Sequence, residues 1–524
     1  MSKQLTTNRM LTWVYGDYGS FIPQRSVADR LIGRYLNTFE KIYRIVHVPS
    51  FRRCYDLYWS GTNHRPIAFI LQMQLCMALG ALSYDDDYSL RPQALQWIRE
   101  ATFWLEFGEQ ARTTISTLQS MCLLGLARSM NSLHGDRAWV FGGALIRSAM
   151  SIGMHRDPTK LPGILKGEVE MRRRIWATIL ELTLDSCLDA GGLPLIATSD
   201  FDCAAPMNVN DEDFDPAGDH SPVPRRPDQL TDMSLQIARN HSFETRLAIV
   251  NFSNGLGTLS SYERALSLGS DYTAARRTAA NHLRAVRPGI SKFEQQYYEM
   301  LMSRYIFALH MPYVPAALQD PKYLYSRSIC ADTAVKLLHS GLPFQFATST
   351  PLEAVRTMSG CAAQCDEYIR LALCASGPVR STLFQAIMAV SGDLLAMVDT
   401  ASSWVLFHDR SSLRTVELLS LLQMSVEWAR GRILCGQANV KDYVFLTATF
   451  ASVEARMAGD SEWEKMRAKG LDACIEAKKI LEGFCGARAP SSGESACWQG
   501  GLGADDFWAS YLDGLDTEFL VPLT

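Results

Sequence analysis

The sequence has no cysteine before Cys54, no lysine or arginine after Arg488, and no long uninterrupted apolar run. The first absence excludes a multi-cysteine metal motif ahead of residue 54. The net charge of −4 lacks the basic excess with which free-standing nucleic-acid binders neutralise phosphates. The most apolar stretch, residues 383–398, is broken by Gly392 and Asp393 and is shorter than the about 20 residues of a membrane span. We therefore expect a soluble intracellular protein.

The thirteen cysteines are spread singly through apolar stretches, and their number is odd. Free buried thiols behave as small hydrophobic groups, so this distribution indicates core filling in a reducing compartment. The close pair Cys361 and Cys365 lacks two further metal ligands nearby. We therefore expect no metal and no cofactor.

Apolar residues recur every three or four positions from Val27 to Val46, which predicts a helix with one buried face. Ser26 followed by Asp29 is typical of a capping box at its start, and Pro49 indicates its end. Similar patterns recur through most of the chain, whereas no run alternates as a strand would. The sequence therefore predicts an all-α fold, a large multi-helix body.

Glycine, proline and aspartate interrupt the helical pattern between residues 191 and 229. So long a stretch predicts a loop that wraps the surface or separates two helical layers. The predicted organisation is a tail at 1–25, a helical body at 26–485 with halves at about 26–190 and 230–485, and a second tail at 486–524.

The last part of the chain, residues 489–524, contains six acidic residues and several aromatic ones. Acids keep such a segment solvated while the aromatic side chains stay available to a partner, as in acidic activation segments. The alternative is a C-terminal helix that packs on the body through its aromatic face. The candidate residues of an activation tail are Asp505, Asp506, Phe507, Trp508, Tyr511, Leu512 and Phe519.

Common enzyme motifs are absent: there is no phosphate-binding glycine loop, no HExxH and no nucleophile elbow. One alternative is a helical enzyme of the terpene-synthase kind, which binds magnesium through aspartates on facing helices. Its first candidate group lacks a carboxylate one turn further on, and its second lies in the predicted loop, so solvated loop charges are the simpler interpretation. These candidates are Asp85, Asp86, Asp87, Asp211, Glu212, Asp213 and Asp215.

The basic run at 172–174 is short for an import signal or a nucleic-acid contact. Arg173 and Arg174 follow Glu170 at helical spacing, so we predict ion pairs along one helix.

Several long segments, in order, resemble the fungal-specific transcription factor domain, also called the middle homology region, of zinc-cluster transcription regulators. Among them are SVADRLIGRYLNTFEKIYRIVHVPSFRRCYDL at the start and GDRAWVFGGALIRSAMSIGMHRDP further on. The resemblance covers nearly the whole chain. The segments lie at 26–57, 135–158, 168–202, 203–215 and 303–338.

The residues that carry this resemblance make physical sense as architecture. Gly142 and Gly143 allow close approach of helices, Gly153 with Pro158 ends a helix, and the tryptophans anchor helix packing. We interpret all of them as structural and none as catalytic. They are Gly135, Asp136, Trp139, Gly143, Arg147, Gly153, His155, Arg156, Arg173, Arg174 and Trp176.

The chain departs from the family at its front, because no six-cysteine zinc cluster occurs in it. Three explanations stay open: a protein that acts through a DNA-bound partner, a true start further upstream, or a domain kept for another task. The resemblance implies a nuclear transcription regulator of a fungal pathway, including secondary-metabolite clusters. It would act through a DNA-bound factor or the transcription machinery, without direct sequence-specific DNA binding and without a membrane. A small-molecule effector and a dimer stay open, as do an enzyme or ligand-binding protein and a non-DNA-binding inhibitor.

Overall fold

A computed structural model describes residues 19, 21–61, 66–85, 88–107, 113–133, 138–256, 261–284, 286–342, 366–403 and 413–486. Over these ranges the ordered elements are α-helices and short 3-10 turns, without a β-strand. The predicted all-α fold is therefore confirmed. The domain boundaries at 26 and 485 stay a prediction.

The described residues of the first half of the body form eight α-helices. Their hydrophobic residues face a common core, as the helical spacing predicts. They are α1 Arg25–Asn37, α2 Phe39–Tyr43, α3 Val48–Trp59, α4 Ile67–Gly80, α5 Arg91–Phe107, α6 Ile115–Met130, α7 Ala138–Ser151 and α8 Lys166–Ala190.

The predicted capping box at the first helix is wrong. The helix begins at Arg25, and Gln24 precedes it without a side-chain cap. Asp29 instead accepts a hydrogen bond of 2.7 Å from the Tyr55 hydroxyl of α3. The helix also breaks at Thr38, so two helices stand where the periodicity predicts one. Local spacing predicts that Asp29 caps the helix, but its side chain bonds Tyr55 of another helix instead.

The second half of the body follows a long loop, and over the ranges given above it forms ten further α-helices. They are α9 Ser234–Asn240, α10 Phe243–Asn254, α11 Tyr262–Arg284, α12 Lys292–His310, α13 Leu324–Gly341, α14 Glu367–Cys374, α15 Gly377–Ser403, α16 Leu413–Leu434, α17 Lys441–Ala458 and α18 Glu462–Gly486.

Helix α4 is apolar on all sides and is buried from Leu71 to Gly80. Gly80 lets α1 cross it closely, because a Cβ at Gly80 would lie 2.0 Å from the Leu31 carbonyl oxygen. Helices α5 and α6 pack on the same helix from other sides. A helix that is apolar all round requires such enclosure.

The most apolar stretch of the sequence lies within α15. The expectation that it is too short to span a membrane is wrong, because the helix runs on as one piece past Gly392 and Asp393. Residues 377–398 are long and apolar enough for a span, with a mean hydropathy of 1.5. Of this window 56% is buried inside the protein, where it packs against α13 and α16. One such helix is weak support for a membrane span, because buried core helices have the same composition.

The loop between α8 and α9 contains two short 3-10 turns, at Thr198–Asp200 and Asp211–Asp213. It lies against the body, and Val209 and Phe214 are buried in the core. The prediction of a loop that joins two sets of helices is therefore confirmed. Charged side chains of the body hold the loop in place.

Candidate functional site

Asp211 connects the loop to two helices of the first half. Its Oδ1 accepts hydrogen bonds of 2.5 Å from Arg44 Nη2, after α2, and from Arg174 Nη1 on α8. Its Oδ2 accepts a bond of 2.7 Å from the Val48 amide. Burial by itself would raise the pKa of the Asp211 carboxyl, but Arg44 and Arg174 lower it to about 2. The carboxylate is therefore charged and fully engaged.

Two aromatic rings cover this ion pair. The Arg174 guanidinium lies 4.6 Å from the centre of the Phe214 ring. The ring of His47 lies 4.9 Å from the same ring, and its Nε2 donates to the Asp211 carbonyl at 2.8 Å. Burial lowers the pKa of His47. Phe214 of the loop therefore covers the ion pair by which Asp211 attaches the same loop to the body.

Two further buried carboxyls lie beside the anchor, and burial raises the pKa of each to about 7 against the opposing charge of a nearby arginine. Glu40 accepts from the Val46 amide at 3.1 Å and from the Tyr35 hydroxyl at 2.5 Å. Glu170 accepts from the Met207 amide of the loop at 3.1 Å. These carboxyls fix backbone positions on both sides of Asp211.

A second charged cluster lies deeper, where α8 meets α9, α10 and α12. Glu181 accepts bonds of 2.6 Å from both Arg239 and Arg246. Arg304 donates to Asp185 at 2.6 Å and to Asp189 at 2.5 Å. Three arginines and three acids balance in charge, as burial requires.

The predicted family residues near the end of α7 lie together around the loop. Gly153 has a φ of +78°, and its amide donates to the Met150 carbonyl, which ends the helix in the left-handed conformation. The His155 carbonyl accepts from the amides of Asp202 and Cys203. Trp176 is buried, with its ring 5.7 Å from that of Phe201. Arg156 is exposed.

The basic run on α8 is divided among four acids, one of which is the Asp211 that Arg174 bonds. Arg172 pairs with Glu168 at 2.7 Å, and Arg174 lies 3.5 Å from Glu170. Arg173 does not pair with Glu170; it bonds both oxygens of Asp157, at 2.9 and 3.1 Å. Asp157 also accepts from the Ala204 amide, so this pair is another attachment of the loop.

The remaining family residues lie where α7 meets α8. A Cβ at Gly142 would lie 2.6 Å from the Ser186 hydroxyl of α8, whereas one at Gly143 would meet only Arg147 of its own helix. Arg147 is exposed and donates to the Gly143 carbonyl. Trp139 donates to the Leu193 carbonyl at 2.9 Å. Gly135 and Asp136 lie outside the described residues.

The acidic residues considered as magnesium ligands have other partners. Asp85 bonds the hydroxyl and amide of Ser89, and Asp213 pairs with Arg225 at 2.7 Å. Asp215 accepts from the Ala217 amide. Glu212 is exposed on the loop. Across the part of the chain that is described, no three His, Cys, Asp or Glu residues form a metal-binding group. Asp86, Asp87, Cys361, Cys365 and the whole acidic tail lie outside that part.

Sequence reasoning missed most of the buried charges. Arg44 stands between Tyr43 and Ile45, and Arg304 between Ser303 and Tyr305, in otherwise buried surroundings. An arginine on the apolar side of a helix is the signal that would have indicated them, because such a charge requires a buried partner. The described carboxylates of these clusters bond arginines or backbone amides, so the clusters attach parts of the fold to one another.

The chain is similar to several fungal transcription factors. Transcription factor opdR of Penicillium oxalicum is 31% identical over 95% of this chain and 64% of its own length. Transcription factor lepE of Aspergillus flavus is 28% identical over 88% and 55%. The aspyridones cluster regulator apdR of Emericella nidulans is 28% identical over 76% and 53%.

The chain therefore spans between 53% and 64% of the length of these relatives. No solved structure matches it. Residues 32–271, from α1 into α11, match the family described as fungal specific transcription factor domain. These residues contain both charged clusters except Arg304 of α12. Residues 32–271 thus resemble the fungal specific transcription factor domain, and the chain as a whole is similar to fungal transcription factors.

Proposed function

We propose that the chain regulates transcription of a fungal biosynthetic gene cluster from within the nucleus, acting through protein partners. The observation that carries this proposal is the similarity to fungal transcription factors along nearly the whole chain. The name of one relative, the aspyridones cluster regulator, supports a dedicated cluster as the target. Action through partners is supported by the net charge of −4, which lacks the basic excess of a free-standing nucleic-acid binder.

In this proposal the helical body is a rigid regulatory module. Its loop is attached through Asp157, Glu170 and Asp211. Helices of the first and second halves are joined by the ion pairs of Glu181 and Asp185. Buried ion pairs are specific in geometry and costly to break. A surface held in this way can present fixed contacts to a partner.

The tail at 486–524 recruits the transcription machinery in the same proposal. Its acids and aromatic side chains have the composition of segments that fold on a partner. The test is to fuse residues 489–524 to an unrelated DNA-binding domain and measure a reporter. We expect activation, and we expect the triple change Phe507→Ala, Trp508→Ala and Phe519→Ala to abolish it.

The matched control changes Ser491, Ser492 and Ser495 to alanine in the same fusion and should keep the activity. A silent wild-type fusion would leave the tail as a packed C-terminal segment and would contradict recruitment.

The role of the whole protein is tested in the fungus by deleting the gene and measuring transcripts of neighbouring biosynthetic genes. We expect these transcripts to fall at least tenfold. Unchanged transcripts would overturn the proposal. If deletion instead raises these transcripts, and a chain cut after Arg488 lowers them again, the protein acts as an inhibitor that pairs with a full-length regulator.

A further inference from the structure

A groove runs along helix α11. It consists of two adjoining cavities of about 530 and 550 Å³ that share Thr273 and Arg277. The first reaches Tyr262 at the start of α11, and the second reaches Arg287 just beyond its end. At 1.5 Å per residue the helix itself is about 35 Å long. We call the two cavities together the α11 groove.

Three arginines of this groove are exposed and have no carboxylate partner among the described residues: Arg277, Arg284 and Arg287. Arg277 and Arg284 are seven residues apart, so they lie on the same side of α11 about 10 Å from each other. Arg276, which also lines the groove, is already paired with Glu299 at 2.7 Å. The groove is therefore strongly positive on a chain whose net charge is −4.

The floor of the groove is apolar. Leu235, Ile290 and Tyr298 are buried beneath the arginines, and Leu283 is partly buried there. At the other end Leu266 and Tyr325 remain exposed beside Tyr262. A phosphate backbone would gain nothing from such a floor. A segment with both carboxylates and aromatic side chains would use the charge and the floor together.

The chain itself contains a segment of this composition. In residues 503–520 two acids, Asp505 and Asp506, precede the aromatic cluster, and three more, Asp513, Asp516 and Glu518, are interspersed among its later apolar residues. The chain from Gly486, the last described residue, to residue 503 is long enough to cover about 55 Å when extended. That reach is comparable with the diameter of a body of this size, so the tail can reach the groove from its own chain.

We propose that residues 503–520 bind in the α11 groove of the same chain, with their carboxylates on Arg277, Arg284 and Arg287 and their aromatic side chains on the apolar floor. Because the segment is tethered, its effective concentration at the groove is in the millimolar range, and weak contacts are sufficient. Binding of this kind falls with salt, since exposed charges are screened. Its regulatory meaning, a tail withheld from the transcription machinery, rests on the function proposed above; the binding itself does not.

The test measures backbone amide exchange of the full-length chain in 50 mM salt. In the wild type we expect slow exchange over residues 503–520. The variant Arg277→Glu/Arg284→Glu/Arg287→Glu should speed exchange of that segment at least tenfold, and so should 0.5 M salt with the wild type. The rest of the body should exchange as before, which shows that the variant is folded.

A matched control reverses three exposed arginines elsewhere, Arg52, Arg53 and Arg467. It makes the same change in net charge and should leave the tail protected. The rescue variant combines the three groove reversals with Asp513→Arg, Asp516→Arg and Glu518→Arg, and it should restore protection. If slow amide exchange of residues 503–520 is restored, the tail and the groove pair specifically, and the loss in the reversal variant is not a general effect of net charge.

Two results would overturn the proposal. Fast exchange of residues 503–520 in the wild type at low salt means that the groove does not hold the tail. Protection that disappears on tenfold dilution means that a second copy supplies the tail. Because the readout is exchange and not reporter activity, a silent tail fusion would contradict the proposed function without affecting this result.

Discussion

Arginines occupy two contrasting regions of the molecule. Arg44, Arg174, Arg239, Arg246 and Arg304 are buried around α8, and each bonds a buried or nearly buried carboxylate. Arg277, Arg284 and Arg287 of the α11 groove are exposed and have no carboxylate partner among the described residues. The buried arginines have their carboxylate partners within the body, whereas the groove arginines are available to bind a segment that is not part of the described body.

The difference follows from solvation. A guanidinium removed from water without a partner costs several kcal/mol, so the fold must supply a carboxylate at each buried position. In water the same group is hydrated, and a surface ion pair stabilises by at most about 1 kcal/mol. Stability therefore explains the partners of the buried set and does not explain why three arginines share one groove.

The largest expected effect comes from breaking the loop attachment. Asp211→Asn removes the charge that Arg44 and Arg174 share, so two buried guanidinium groups lose their main partner. We expect a loss of about 3–5 kcal/mol in the free energy of unfolding, measured by urea denaturation. Asp213→Asn, two residues away in a more exposed pair with Arg225, should cost less than about 1 kcal/mol. Equal losses would contradict the contrast between buried and exposed pairs.

The next effect concerns pH. The folded pKa of Glu40, about 7, lies above its ordinary value of 4.5, so the folded state holds a proton that the unfolded state releases between these values. The stabilising contribution is complete below pH 4.5 and is lost as pH rises through 7. Glu40→Gln should therefore gain about 3 kcal/mol relative to the wild type between pH 4 and pH 8.

Urea denaturation across that range measures this gain. The same substitution at Glu212, an exposed acid of the loop, is the control and should show no trend. A difference between Glu40→Gln and the wild type that stays constant with pH would contradict the raised pKa.

A smaller effect belongs to the largely buried pair of Arg173 and Asp157. The arginine side chain is 13% exposed, between the fully buried and the exposed cases. Arg173→Ala should cost about 1–2 kcal/mol in the free energy of unfolding. Arg156→Ala, at an exposed neighbour of the same loop contact, should change it by less than about 0.5 kcal/mol. If the loss of unfolding free energy were as large as that of Asp211→Asn, this pair would contribute as much to stability as the fully buried ion pairs.

The fold class could be predicted from the sequence because helical periodicity is local. The long loop was predictable as well, since proline and glycine near Gly191 and Pro194 break helices wherever the chain goes. The pairing of charges was not predictable. Asp211 lies 167 residues from Arg44 along the chain, and spacing carries no information about such a contact.

Local rules also failed where a tertiary partner competed. Arg173 has Glu170 three residues away on its own helix but bonds Asp157 instead. Asp29 does not cap its helix and accepts a hydrogen bond from Tyr55. Among the family residues, the left-handed turn at Gly153 could be derived from its sequence neighbours. The attachment of Glu170 to the Met207 amide could not, because it needs the folded loop.

The smallest expected effect is on the groove side of the comparison. Changing Arg277, Arg284 and Arg287 together to alanine should alter the free energy of unfolding by less than about 0.5 kcal/mol per residue, because no folded-state carboxylate is left behind. Urea denaturation in 0.5 M salt, where tail binding is screened, isolates this effect. A loss of 3 kcal/mol or more would mean that these arginines hold the body together, as the buried set does. A near-zero result, obtained beside a large loss for Asp211→Asn, would separate arginines that maintain the fold from arginines that are free to bind another segment.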